Sequence, residues 1–296
     1  MTLKDKTSRG VLIRSSSISN FETMLNAAGL TPHRDHGPSV VAAIFDEVST
    51  LSELETFAAS HPTTPIILVT SGLERPDLAA CVSLPTLLSV SLRGRSEELL
   101  EALALVSDGQ GTSLRGRWLP QSAFSREVGS SVERDRLLEE VEAYLSDEGV
   151  RSRYVNLARD AIEELVTNAL YDAPADSTGR RIYLETDRRN AIFLPPAARP
   201  QLDLGVIDGR IVAVMTDPHG SLELETVRRF LAAGLAGEIS DKPGGAGLGF
   251  ARVFGLVDRL GVQISPKVRT EIGFILETRR DSLQGKKHTG LLVARV

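Results

Sequence analysis

One cysteine, Cys81, occurs in 296 residues. A lone thiol closes no intramolecular disulfide and builds no cysteine-rich zinc site, so the chain reads as one that folds in a reducing cytosol with Cys81 in a core. Aromatic residues are scarce at 5%, with a single tryptophan, Trp118. A basic excess is also missing: 34 Lys and Arg against 39 Asp and Glu leave a net charge of −5, which gives no general reason to expect nucleic-acid binding. No apolar run approaches the roughly 20 residues that cross a bilayer, and the opening stretch MTLKDKTSRG has no apolar leader core. The expectation is a cytoplasmic protein without membrane contact. Internal repeats and low-complexity tracts are absent as well.

What is present is the composition of a globular protein, 42% hydrophobic and 25% charged, in a chain long enough for two domains with separate cores. Short apolar runs at 11–13, 40–45, 65–70 and 87–92 alternate with helical patterns at 21–30, 51–59, 77–82 and 97–106. That alternation predicts an α/β domain over 1–108 built on a doubly wound parallel sheet. The stretch 109–124 turns to Gly, Ser and Arg and reads as a linker, although Trp118, Leu119 and Phe124 are apolar enough to dock it on a domain.

The first 108 residues resemble a response-regulator receiver domain, mainly by layout. Asp46 ends the strand at the third-strand position, where receivers carry the phosphoacceptor, and Thr70 in PIILVTSG matches their fourth-strand hydroxyl. The rest of that chemistry is missing. Where receivers place an acidic pair for Mg²⁺, this chain has Arg14, Ser15, Ser16 and Ser17, and Arg93 is the cation nearest the position of their lysine. One carboxylate alone holds Mg²⁺ poorly, so the domain reads as a pseudo-receiver, with Asp46 either a phosphoacceptor or an ordinary strand-end carboxylate.

Beyond residue 125, Ser130 and Ser131 precede a helical pattern over 132–145 whose apolar stripe is Val132, Leu137, Leu138, Val141 and Leu145. A second amphipathic helix opens at Arg151 or Ser152 and ends before Pro174, because proline disfavours helical geometry in the residue ahead of it. Within it, Glu164 and Asn168 are one turn apart, so a carboxylate and a carboxamide project side by side. Such a pair can serve a hydrated Mg²⁺ beside nucleotide phosphates, Asn as an oxygen ligand and Glu as a base, or can simply be solvated. Strands are predicted at 181–186, 201–206, 210–216, 262–265 and 271–278, with a hairpin turn at Asp208-Gly209. The second hairpin strand runs into Asp217-Pro218-His219-Gly220-Ser221. Helices follow at 222–235 and 250–259, the latter preceded by GGAGLG at 244–249, a glycine-rich helix start of the kind that binds anions. His288 and the final LLVARV complete the chain, 281–296 forming a tail that includes a candidate added strand.

ELVTNAL on a helix, then a strand ending in Asp217 and a Gly220 turn, then a polar stretch, then GGAGLG and VRTEIGFILE, resemble in that order the GHKL ATPase superfamily of gyrase, chaperone ATPases and histidine kinases. The resemblance covers 125–280 and implies an α+β sandwich that binds ATP and Mg²⁺. It makes Glu164 the base, Asn168 the Mg²⁺ ligand and Asp217 the carboxylate that reads the adenine amine. Gly245, Gly247, Leu248 and Gly249 would lie under the phosphates, 236–244 with Lys242 would form the lid, Gly220 would belong to the first glycine box, and Thr270 would close the adenine pocket. The family pattern there is Asp-x-Gly-x-Gly, whereas this chain has His219 and Ser221 at the two glycine positions. No histidine lies between Ser125 and Glu164, which leaves no phosphoacceptor of the sensor-kinase type. The layout is most similar to the anti-sigma-factor serine kinases. The implied function is a bacterial signalling regulator with protein partners, acting as an ATP-dependent serine kinase or, alternatively, as a non-catalytic adaptor whose two degenerate domains are binding surfaces. Relatives often dimerise, which adds a homodimer to the expectations.

Overall fold

The computed structural model describes residues 9–14, 19–35, 37, 40–46, 51–92, 94–108, 113–121, 124–176, 178–183, 186–187, 190–237, 248–279 and 289–296. Arg93, Ser15 to Ser17, Lys242, Gly245, Gly247 and His288 lie outside them. The chain is of mixed α/β type and divides into two compact units, Met1–Gly111 with Gly290–Leu292, and Thr112–Thr289 with Val293–Val296.

The first unit runs β1 (Gly10–Arg14), α1 (Ser19–Ala27), β2 (Thr31–His33), β3 (Val40–Asp46), α2 (Leu51–Ser60), β4 (Ile66–Thr70), α3 (Arg75–Ser83), β5 (Leu87–Leu92) and α4 (Ser96–Asp108). Its five strands pair in parallel in the order β2-β1-β3-β4-β5. Every residue of β4 is buried, which is why that strand reads as a continuous apolar run. The strand order reverses between β1 and β3, the position where open α/β sheets bind ligands beyond their strand ends. Sequence periodicity gave no hint of β2, a three-residue edge strand in which Pro32 is tolerated because an edge has N–H positions without ladder partners. Residues 290–292 add an antiparallel strand on β5, with Leu291 opposite Val90 and the Ser89 hydroxyl donating to Leu291 O at 2.9 Å.

The second unit comprises α5 (Leu114–Trp118), β6 (Phe124–Glu127), α6 (Ser131–Asp147), α7 (Ser152–Thr167), β7 (Gln201–Ile207), β8 (Arg210–Asp217), α8 (Leu224–Ala236), α9 (Leu248–Leu256), β9 (Arg259–Ser265) and β10 (Arg269–Glu277). It also takes the end of β11 (Gly290–Arg295), whose flanking Val296 N–H donates to Ile264 O at 2.9 Å. The strands β9-β10-β8-β7-β6 form an antiparallel run. The β7–β8 turn puts Asp208 at φ 52° and Gly209 at φ 76°, the two positive values that a tight primed turn demands and that Asp-Gly accommodates. Ser130 caps α6 by accepting from Glu133 N–H at 3.2 Å, while the Glu133 carboxylate takes Gly129 N–H at 2.7 Å. Within the described residues, no helix is long and apolar enough to cross a membrane.

Register separates the two faces of this sheet, since alternate residues of a strand point oppositely. Leu202, Ala213, Met215, Val262, Ile272 and Phe274 share the face on which α7 packs. Asp203, Gly205, Val214, Gly261, Gln263, Glu271 and Gly273 share the other, and α5 lies on it. Gly273 and Gly261 are directly paired, and a β-carbon on either would come within 2.5 Å (Gly261) or 3.3 Å (Gly273) of the Trp118 indole. Glu271, 2% exposed, fixes the start of α5 by accepting from the amides of Leu114 at 3.1 Å and Arg115 at 3.3 Å. The part of 109–124 that holds Trp118 is therefore a docked helix.

Three further expectations differ from the structure. Val132 is 65% exposed, while Leu137, Leu138, Val141 and Leu145 of the same stripe are buried, because Val132 sits in the first turn, at the end of the face that α6 packs against α7. Residues 181–186 form no strand among those described: Asp176 gathers the amides of Thr178 and Arg180 into a turn, and only a single bridge, Ala175 to Arg181, remains. Arg259 opens β9 and does not end a helix, since α9 stops at Leu256 and Asp258 N–H bonds Ile275 O at 2.9 Å.

Replacing Trp118 by alanine should empty the volume above Gly261 and Gly273 and destabilise the second unit by about 3–5 kcal/mol, read as a shifted urea midpoint. A shift no larger than that of an exposed control substitution would mean that α5 is not a structural part of this face.

Candidate functional site

Helix α7 buries Tyr154, Val155, Ala158, Ala161, Ile162, Leu165 and Val166. Glu164 and Asn168 lie at its half-buried margin. At Asn168 the α-helical pattern gives way to a π-helical turn, Asn168–Asp172 (NALYD), which ends just before Pro174. Such turns widen the helix by a residue and tend to occur at functional positions. Asn168 N–H still bonds Glu164 O, so the two side chains keep their one-turn relation.

Helix α9 begins at Leu248, inside the glycine run, and packs against α7. Gly249 is buried at this contact. A β-carbon there would come 2.7 Å from Glu164 Oε2, 3.4 Å from Asn168 Nδ2 and 3.7 Å from Asn168 Oδ1. Any side chain at 249 would thus displace the carboxylate or the carboxamide. The start of α9, whose first amides have no partner within the helix, is brought to the two polar groups of α7.

Arg252, one turn beyond Gly249, reaches the same carboxylate. Its Nη1 donates to Glu164 Oε1 at 2.7 Å and its Nη2 lies 3.7 Å from Asp160 Oδ2. The sequence reading passed over Arg252. Its spacing of three from Gly249 on a helix was the available signal, because residues three apart share a face.

A second cluster forms where β8 ends. Asp217 is 5% exposed, and its Oδ1 accepts from His219 N–H at 2.9 Å and Gly220 N–H at 3.3 Å. Burial pushes the Asp217 carboxyl up from the ordinary range, against the pull of His219, Thr270 and the Gly220 amide. Thr270 stands directly opposite Asp217 in the β8–β10 register. Its hydroxyl is close enough to act electrostatically on the carboxyl but outside hydrogen-bond geometry, and it is left buried without a hydrogen-bond partner. The His219 Nε2 is likewise buried and unpartnered. The imidazole, at a position where the family pattern has glycine, has this nitrogen shut off from solvent.

Gly220 has φ 57°, and a side chain there would run into the backbone of Ser265, Lys267 and Val268. Lys267 N–H donates to Gly220 O at 3.0 Å, docking the Asp217 turn on the β9–β10 turn. Ser221 Oγ donates to Ala173 O at 2.7 Å, tying the same turn to the residue that follows the π turn. Both clusters therefore lean on the α7 end.

In the first unit, Asp46 ends β3, half-buried, and Arg14 ends β1, exposed. Thr70 ends β4, buried, and its hydroxyl oxygen accepts from Gly72 N–H at 3.1 Å. Among the described residues no group of three or more His, Cys, Asp and Glu is placed to hold a metal ion. A Mg²⁺ bound together with phosphates needs only one or two protein oxygens. No family model and no curated protein matches the chain significantly.

The Asp217 carboxyl holds its proton more tightly in the folded than in the unfolded chain, so stability is lost as pH rises from the ordinary Asp value of about 3.9 through the raised one. Asp217→Asn, which keeps an oxygen for the His219 and Gly220 amides, should melt higher than the parent at pH 7, the gap closing toward pH 4. Equal melting temperatures across that range would place the Asp217 carboxylate in water.

Proposed function

We propose that the second unit is an ATP-binding domain of the GHKL type, within a cytoplasmic signalling regulator. The observation that carries this reading is the contact of Gly249 with Glu164 and Asn168, where a missing β-carbon lets the helix start after GGAGLG approach the polar pair of α7. Sequence order suggested these motifs belong together, and their adjacency supports a common ligand. The residues present fit ATP with Mg²⁺. Asn168 would offer its carboxamide oxygen to the ion, and the first amides of α9 would face the phosphates. Asp217 has Oδ1 occupied by two amides, which leaves Oδ2 for the exocyclic amine of adenine, and the unpartnered Thr270 hydroxyl supplies a further donor beside it.

With ATP bound, Glu164 would take the proton of the attacking hydroxyl, from a protein serine or from water. The remaining groups would contribute position and charge, which supply most of the catalysis in phosphoryl transfer. A serine kinase of the anti-sigma type fits this arrangement. The parallel order β2-β1-β3-β4-β5 supports a receiver-like first unit, with Asp46 at its strand-order reversal. Of the two carboxylates that would hold Mg²⁺ there, neither is present in the sequence. We therefore read that unit as a pseudo-receiver that meets protein partners.

One observation favours a second reading. His219 stands at a family glycine position with its Nε2 shut inside the protein, as expected if the pocket is closed by the chain itself and the fold serves as an adaptor. Calorimetric titration with ATP and Mg²⁺ separates the two. Under the first, the parent binds, and Asn168→Ala weakens binding by about tenfold or more, 1.4 kcal/mol at the least. Under the second, the folded protein takes up no ATP at millimolar concentration.

A further inference from the structure

We propose that Arg252 is a positioning residue that restrains Glu164 and so slows hydrolysis of a nucleotide bound beside it. The inference rests on the ATP-binding reading given above. Nothing in ATP recognition as described there requires an arginine at this position, yet its guanidinium makes the only described charged contact of the Glu164 carboxylate. Arg252 Nη1 lies 2.7 Å from Glu164 Oε1, and Nη2 lies 3.7 Å from Asp160 Oδ2, so one guanidinium is shared between two carboxylates one turn apart on α7. Glu164 has 20% of its side chain exposed, and its other oxygen faces Gly249. Between them, the arginine and the glycine account for both oxygens: one is held in an ion pair and the other is directed at the start of α9.

For hydrolysis, a water oxygen forms a bond to the γ-phosphorus while the bond from that phosphorus to the β,γ-bridging oxygen breaks. ADP leaves with the electron pair, and the water's proton passes to the Glu164 carboxylate. A general base acts through a lone pair free to meet that proton within hydrogen-bond reach. In the resting arrangement Oε1 already accepts a charge-assisted hydrogen bond, which fixes the carboxylate's orientation and holds Oε2 against Gly249, so that it is not free to follow the attacking water. Arg252 must withdraw, or Glu164 must turn, before the transfer. A bound nucleotide would then be held longer than it would be with Glu164 unpaired, which suits a protein whose nucleotide state is a signal. Because Arg252 has 56% of its side chain exposed, a docking partner or salt could draw it away.

The test compares the parent chain with Arg252→Gln and Arg252→Lys. Calorimetry gives the ATP dissociation constant, and phosphate release gives the turnover number. The expected result is an Arg252→Gln turnover raised about tenfold or more, well inside the range that general-base catalysis commands, with the dissociation constant changed less than about twofold. Arg252→Lys keeps turnover near the parent's, and added KCl speeds the parent while leaving Arg252→Gln unaffected. A gain in rate at constant affinity is not what mere loss of structure produces. Turnover that is unchanged or lower in Arg252→Gln, with ATP still bound, overturns the restraint while the nucleotide reading stands. Failure of all three proteins to bind ATP overturns both. A denaturant double-mutant cycle of Arg252→Gln with Glu164→Gln on the nucleotide-free protein checks the ion pair itself: non-additive midpoints support the proposal, and additive ones overturn it.

Discussion

The second unit turns on one missing β-carbon. Helix α9 can rest on α7 at the height of Glu164 and Asn168 because residue 249 has no side chain, and a methyl group there would need the space that the Glu164 carboxylate occupies. From that contact follow the position of the glycine-rich helix start, the reach of Arg252 to Glu164 and Asp160, and the alignment of α7 over the sheet. The π-helical turn from Asn168 continues the same helix into the segment that Ser221 fastens to the end of β8. One polar cluster is thereby set on a helix, and the other, at the end of β8, is tied to the same helix end through its turn.

The two carboxylates of these clusters are held in opposite ways. Glu164 is partly solvated and meets a cation, so its charge is supported by an ion pair of the modest kind found near surfaces. Asp217 is buried, supported by two amides, the His219 side chain and a nearby hydroxyl, and its charged form carries a desolvation cost that these contacts offset in part. A buried carboxyl of this kind is costly to the fold, and its retention at a strand end, facing the unpartnered Thr270 hydroxyl and His219 nitrogen, is the sort of local conflict that tends to mark a binding site.

Long periodic segments were readable in the sequence because burial imposes a period. The strands β1, β3, β4 and β5 of the first unit, α6, α7 and the Asp208-Gly209 hairpin all carry their signal within a dozen residues. The adjacency of Glu164, Asn168 and Gly249 came only by way of a family resemblance, since 80 residues separate Asn168 from Gly249 and no local pattern encodes the contact. Arg252 went unread for a different reason: an arginine on a helix is ordinarily a solvated position, and its partner is fixed by helix packing. Trp118 was visible as an apolar residue in polar company. What could not be seen was that Gly261 and Gly273, each an unremarkable strand glycine, stand side by side beneath its ring. The three-residue β2 has too few positions to show any period at all.

The Trp118, Gly261 and Gly273 arrangement also limits how this sequence can drift. A large ring and two adjacent hydrogen atoms fit only as a set. A side chain gained at 261 collides with the indole, one gained at 273 meets the Ala213 carbonyl and Val214 before it reaches the ring, and a smaller ring at 118 leaves a hollow. Each one-step path away from the present combination passes through a less stable chain, so the three positions should be retained together among descendants of this sequence that keep the docked helix. A triad of that kind, spread over more than 150 residues, would identify relatives sharing this docked helix even where the glycine run and the Asp217 turn had diverged.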